Sequence, residues 1–349
     1  MLALALGLIS NASFATPNEH HANVTQRIYN LDYWDNHRYG GFIKEHLANT
    51  HANQRYGKEA IDKSSWIESD TKHAWAQGYA GQGVSVGVLD NWNDTDRMGW
   101  INTRGAYHIY RPSHGDKTSA IIGGKGTFGT SDTNVVGIAP EATINKYWGG
   151  SYYQGVASQE NDIVNMSFGS YRPSWTITTD NYYKNYQYNY YNTDAFNTDT
   201  LYVRSAGNLG VSCQRGGKCS ESSLAMLNSK LRDSTLIVGA LDGDTIAGYS
   251  NRAGITKNNF VVDDGTISYK YEKYGDTGHG STMGTSFSAP RVSGKAAIIK
   301  SKFSNLNGAQ LANIIKTTAD DLGAPGVDDI YGHGKVNLLR ALSPIGNLR

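Results

Sequence analysis

Ser286 lies in Gly284-Thr285-Ser286-Phe287-Ser288-Ala289-Pro290, a run of small residues that opens an apolar helix. A helix N-terminus carries unpaired backbone N–H groups and the positive end of the dipole, so a nucleophilic hydroxyl there would find its developing negative charge stabilised. The same unpaired donors make serine an ordinary helix cap, and the segment alone fits both roles. A serine hydroxyl is unreactive at its own pKa, so nucleophilic chemistry needs a base and a group that orients the base. His114 follows the turn Arg111-Pro112-Ser113 and precedes the apolar Ala120-Ile121-Ile122-Gly123-Gly124, which places an imidazole at a helix start. A lone histidine there also fits a structural role. Asp90 ends the apolar run 84–89, where rigid backbone can hold a carboxylate away from water; an aspartate closing a strand is equally a turn former.

The elements that must position these residues can be read from short apolar runs. Residues 84–89 form a short, β-branched, apolar run that ends on Asp90, as a buried parallel strand would. Runs 142–147, 162–168, 201–206 and 236–240 repeat this texture, and the stretches between them are long enough for helical crossovers. The spacing predicts an α/β protein with a mostly parallel sheet. In such sheets chemistry gathers beyond the carboxyl ends of the strands, where Asp90, Ser167 to Gly169, Gly207 and Asn208 fall. Helices are predicted over 286–302 and 310–318, each with one apolar stripe. Residues 171–200 interrupt the pattern, and 181–193 hold six Tyr and four Asn. That segment reads either as a surface loop using tyrosine as contact area or as an insertion packed on the sheet.

With 32 Lys+Arg against 31 Asp+Glu, the chain lacks the basic field that nucleic acid or anionic membrane would require. Forty glycines and 39% hydrophobic residues exclude both a disordered chain and a helical bundle. Residues 2–9 are too short an apolar stretch to span a bilayer. With Ser13-Phe14-Ala15 after them they read as a secretory signal peptide over 1–15, although Lys and Arg are missing from its start and a buried N-terminal helix is the alternative. Cys213 and Cys219 flank the turn-forming Gln214-Arg215-Gly216-Gly217-Lys218, and in an oxidising compartment they read as a disulfide-closed loop. Residues 16–70 are polar and hold His20, His21, His37, His46 and His51 without a zinc-binding spacing; they read as a solvated N-terminal extension or prosegment.

The order Asp90, His114, Ser286, together with further blocks, resembles the subtilisin-like serine proteases, or subtilases, over residues 70–342. The blocks are Gly81-Gln82-Gly83-Val84, Val136-Gly137-Ile138-Ala139-Pro140, Asn165-Met166-Ser167-Phe168-Gly169, Ser205-Ala206-Gly207-Asn208, Tyr249-Ser250-Asn251, the serine block and Tyr331-Gly332-His333-Gly334-Lys335-Val336-Asn337. The serine block is most similar to subtilases carried as passengers of Gram-negative autotransporters. No membrane barrel follows Arg349, so a secreted or periplasmic protein is expected. The resemblance implies a three-layer subtilisin-like fold over 71–349 and endopeptidase activity through an acyl-enzyme. Ser286 would be the nucleophile, His114 the general base and acid, and Asp90 the group that fixes the imidazole. Asn208 would donate to the oxyanion with the backbone N–H of Ser286. Ser167, Phe168 and Gly169 would pair with an extended polypeptide, while Ala206 and Gly207 line the P1 pocket. Glu221 could bias that pocket toward basic residues or be a surface residue.

Three departures from the family pattern bear on activity. Asn91-Trp92 follows Asp90 where small residues are usual, Asp116-Lys117 follows His114-Gly115 where Thr-His is usual, and residues 260–265 replace the usual Ala-Pro-Gly strip. Occlusion of the triad by Trp92 or Lys117 would favour an inactive binding protein that uses the Tyr/Asn-rich segment. An esterase on the same triad is a further alternative. Calcium is common in the family and residues 90–96 are rich in oxygen ligands, yet Thr95 stands where an EF-hand loop has Gly and Asp90 has another role, so no metal or cofactor is assigned. Asp263-Asp264, Asp320-Asp321 and Asp328-Asp329 read as solvated turns.

Overall fold

The computed structural model describes residues 17–36, 38–92, 113–125, 135–149, 151–169, 196–213, 229–273 and 276–343. The signal segment 1–15, Cys219, Glu221 and most of the Tyr/Asn-rich stretch lie outside the described residues.

Six parallel strands form the centre: β1 (Ser85–Asp90), β2 (Thr143–Trp148), β3 (Ile163–Met166), β4 (Leu201–Ser205), β5 (Thr235–Asp242) and, after the short β6 (Thr245–Ile246), β7 (Phe260–Asp264). Their order is β2-β1-β3-β4-β5-β7, and β6 is antiparallel to the end of β5. All five strand runs read from the sequence are present in register, for example Val88 opposite Asn165 and Asn165 opposite Val203. Residues of β1, β3, β4 and β5 are buried almost throughout, which is why apolar residues predominate on both faces of these strands.

Helix α5 (His114–Gly123) follows β1 in the chain, α6 (Ser151–Glu160) joins β2 to β3, and α7 (Thr285–Lys302), α8 (Gly308–Thr317) and α9 (Leu338–Leu342) close the chain. One core runs through Val86, Val88, Ile121, Val203, Val238, Val292 and Ile299, and a second lies on the other side of the sheet around Leu89, Val164, Tyr202 and Leu231. This is the helix–sheet–helix layering expected. A hairpin of β8 (Thr266–Lys273) and β9 (Asp276–Met283) leads directly into α7.

The reading of 16–70 as solvated is corrected by the structure. That stretch forms α1 (Pro17–Tyr29), α2 (Gly40–Tyr56) and α3 (Lys58–Lys63), followed by α4 (Ser69–Ala76). Ala52, Tyr56, Ile61 and Trp66 join the main core. The indoles of Trp66 and Trp75 donate to the carbonyls of Val136 and Ile138 at 2.8 and 2.9 Å, so each ring is buried with its polar atom paired. The guanidinium of Arg55 and the hydroxyl of Tyr56 both reach Glu141, in the turn before β2. The apolar content is carried by alanines and aromatics spread over short helices, hence the weak periodic signal.

Asp263 is likewise no turn residue. It is fully buried in β7 and faces Lys295 Nζ at 3.0 Å. Lys295, 1% exposed, also meets Glu68 at 3.1 Å and Asp70 at 3.6 Å. Arg291, one turn earlier on α7, meets Glu68 at 3.4 Å and Asp264 at 3.3 Å. Burial raises the Glu68 pKa, but the charges of Lys295 and Arg291 outweigh this and hold it below the usual range. Burial pushes the Asp263 carboxyl upward, against the pull of Lys295. Two cations of α7 thus tie the N-terminal stretch to β7.

Candidate active site

Asp90 stands at the carboxyl end of β1, 3% exposed. Both its carboxylate oxygens lie 2.8 Å from His114 Nδ1. The Asn91 N–H donates to Oδ1 at 2.7 Å and the Thr118 hydroxyl to Oδ2 at 3.2 Å. Buried carboxylate lone pairs are thereby satisfied and the imidazole orientation is fixed.

His114 is the first residue of α5, and the residues around it explain why the helix starts there. The Ser113 hydroxyl accepts from the Asp116 N–H at 3.1 Å, while Asp116 Oδ2 accepts from the Ser113 N–H at 3.0 Å, a reciprocal capping box. Asp116 therefore caps the helix and, at 3.3 Å, pairs with Lys146. Trp92 turns from the imidazole: its indole donates to the Tyr147 carbonyl at 2.9 Å. Its ring lies flat enough against Gly115 that a Cβ there would come within 2.8 Å of it. Gly115 is required by that contact, and Trp92 is accommodated without covering His114.

Ser286 is the second residue of α7. Its hydroxyl donates to the Ser167 carbonyl, just past β3, at 2.9 Å. Among the described residues no hydrogen bond joins Ser286 to His114; the neighbouring Phe287 ring lies 5.6 Å from the imidazole, centre to centre. Asp90, His114 and Ser286 are thus gathered at one end of the sheet, with the hydroxyl resting on a backbone acceptor.

Asn208 follows β4. Its Oδ1 accepts from both the N–H and the hydroxyl of Thr285, each at 2.9 Å. The Thr285 hydroxyl in turn accepts from the Gly207 N–H at 3.0 Å. With Oδ1 held by two donors, the amide can face only one way, and its Nδ2 lies beside Gly284. A Cβ on Gly284 would sit 3.3 Å from Asn208 Nδ2 and 3.8 Å from the Ser286 nitrogen, so glycine leaves open the space that both flank. Thr285 was not assigned a role from the sequence; its place beside the serine in Gly-Thr-Ser was the available signal. Asn251 was also missed: its amide donates to the Ala206 carbonyl at 2.9 Å and its Oδ1 accepts from Leu209 at 3.1 Å, which fixes the 206–209 turn.

Ser167, Phe168 and Gly169 continue past β3, and Ala206 and Gly207 past the adjacent β4, so the predicted substrate-binding residues lie at neighbouring strand ends. No free cysteine occurs among the described residues. None of their His, Cys, Asp and Glu side chains gather in threes as a metal would require, and none of their helices is long and apolar enough to cross a membrane.

Comparison with known proteins agrees with this architecture. Serotype-specific antigen 1 of Mannheimia haemolytica is 34% identical over 161 residues, 43% of this chain, but the match spans only 16% of that protein's length. Subtilisin DY of Bacillus licheniformis is 26% identical over 75% of this chain and 92% of its own. Among solved structures, MycP1 from Mycobacterium smegmatis superposes with a TM-score of 0.57 at 20% identity, over 81% of this chain and 85% of that one, a likeness of fold. The family model described as the subtilase family matches residues 81–334, from the lead-in to β1 to the turn before α9, and the chain belongs to that family.

Proposed function

We propose that this protein is a secreted serine endopeptidase in which Asp90, His114 and Ser286 form the catalytic triad. The observation that carries the reading is the pairing of both Asp90 oxygens with His114 Nδ1 at the end of the sheet where Ser286 opens α7. A carboxylate on Nδ1 keeps the proton there and leaves Nε2 as an acceptor. The backbone of an extended substrate would pair with residues 167–169, and its N–H would compete for the Ser167 carbonyl. That competition releases the Ser286 hydroxyl toward Nε2, consistent with catalytic hydrogen bonds that form only in the complex.

Ser286 Oγ then attacks the scissile carbonyl as its proton moves to His114 Nε2. Asn208 Nδ2 and the Ser286 N–H donate to the resulting oxyanion. The imidazolium gives its proton to the departing amine, which leaves an acyl-enzyme that water hydrolyses by the reverse proton path. Asp90 stays ionised throughout and stabilises the imidazolium. Side chains and backbone supply every step, and we assign no cofactor.

The same reading takes residues 1–15 as a signal peptide, places the protein outside the cytoplasm or in the periplasm, and pairs Cys213 with Cys219. A fluorophosphonate probe tests it. The folded protein should label, and Ser286→Ala should abolish labelling. Equal labelling of the variant, or none of a folded protein whose N-terminus has been processed, would overturn the assignment.

A further inference from the structure

Arg204, in β4, is a cation with 0% exposure, and among the described residues no carboxylate pairs with it. Its Nη2 donates to the Phe168 carbonyl at 3.2 Å and its Nη1 contacts the Met166 sulfur at 3.0 Å. The Phe168 ring lies 5.5 Å from the guanidinium carbon, and Nε has no acceptor among the described residues. These neutral partners contrast with those of Arg291 and Lys295, which are equally buried but surrounded by carboxylates. A buried, uncompensated charge is costly, and its cost is relieved when an anion enters.

Its position identifies that anion. Arg204 starts on β4 and reaches the carbonyl just beyond β3, so its guanidinium bridges the gap between the two strand ends. One residue back, the Ser167 carbonyl holds the Ser286 hydroxyl at 2.9 Å. Two consecutive carbonyls just past β3 are thus taken by two different groups, Ser167 by the Ser286 hydroxyl and Phe168 by the Arg204 guanidinium, which sets the guanidinium one residue along the chain from the contact that holds Ser286. Ala206, Gly207 and Gly169 leave that gap without a competing charge.

Resting on the endopeptidase reading above, we propose that Arg204 makes the gap between β3 and β4 a carboxylate site, so that the enzyme cleaves after aspartate or glutamate. The P1 side chain would enter between Ser167–Gly169 and Ala206–Gly207, where its carboxylate pairs with the guanidinium, whose Nε–H is the unused donor. Arg204 is then the specificity-determining residue.

The test is cleavage by the full chain of C-terminally amidated peptides that differ only at P1, comparing Asp with Asn and Glu with Gln. The expected result is a kcat/KM about tenfold or more higher for the acid of each pair, since a fixed charge in a desolvated site discriminates strongly against a neutral isostere. Arg204→Met should erase the preference, bringing the acid of each pair down to the kcat/KM of its amide. Arg204→Lys keeps the charge and should keep the preference, so the question stays decidable if the methionine variant does not fold. Equal rates within each pair, a preference for basic P1, or a preference unchanged in Arg204→Met would overturn the inference and leave the protease reading standing. An acidic preference seen only with free peptide C-termini would overturn it in favour of terminal-carboxylate binding. Failure of the folded, N-terminally processed protein to cleave any peptide would sink both.

Discussion

The Asn208 amide is oriented by a neighbour rather than by itself. Thr285 contributes two donors to Oδ1, and its hydroxyl also takes the Gly207 N–H, so a single threonine connects the turn after β4 with the first residue of α7. Removing the amide altogether, as in Asn208→Ala, should lower kcat by about 10²–10³, the loss associated with an oxyanion-hole asparagine in subtilisin, with little change in KM. Thr285→Val keeps the N–H contact and the side-chain volume but deletes the hydroxyl. It should reduce kcat less than Asn208→Ala, and the two changes together should cost less than the product of each, because both act on one hydrogen-bonded unit. Steady-state kinetics of the three variants on one peptide checks this; full multiplicativity would show that Thr285 does not act through Asn208.

At the scale of elements, α2 carries a buried titratable group. His51 is 3% exposed, its Nδ1 has no hydrogen-bond partner among the described residues, and burial, reinforced by the charge of Arg55, pushes its pKa down to about 4. The folded state thus holds this imidazole neutral, whereas the unfolded chain takes up a proton near pH 6.5. Stability from this source is fully present above 6.5 and is lost as pH falls toward 4, by about 3 kcal/mol in all for the shift involved. His51→Gln, which does not titrate, should remove that part of the acid sensitivity. Urea unfolding of both proteins at pH 7 and pH 4.5 measures it, and equal pH dependence would exclude His51 as the source.

For the molecule as a whole, the N-terminal stretch and α7, the helix that carries Ser286, are joined through charge. Glu68 and Asp70 approach from one side, Asp263 and Asp264 from another, and Lys295 and Arg291 of α7 lie between them. Lys295→Met leaves Asp263 buried without its cation and should cost about 3–5 kcal/mol. Adding Asp263→Asn removes the stranded charge and should recover a substantial part of that loss, giving a double-mutant coupling of about 1 kcal/mol or more. Thermal unfolding of the two single variants and the double variant provides the comparison, and simple additivity would mean that the pair is not energetically joined.

The parallel sheet was legible in the sequence because strands buried on both faces are predominantly apolar, and such runs stand out over residues 84–89, 162–168 and 201–206 despite the polar Asn165, Arg204 and Ser205 within them. The order of Asp90, His114 and Ser286, and the small residues around the serine, were legible for a related reason: each falls where a strand ends or a helix begins, positions marked by local composition. Strand β7 was hidden because Asp263 and Asp264 read as a turn, and a buried aspartate is stable only with a cation supplied from α7. The burial of the N-terminal helices was hidden in the same way, since their polar side chains are satisfied by Glu141, Lys295 and backbone carbonyls distant in the chain. The sequence left open whether Trp92 crowds the triad or turns away, which the pairing of its indole with the Tyr147 carbonyl decides, and Arg204 carried no signal because nothing near it in sequence distinguishes a buried cation from a solvated one. Local sequence set where the backbone ends its strands and starts its helices; only the register of the sheet and the packing of α7 upon it decided which distant polar groups meet, because those contacts depend on relative placement rather than on residue type.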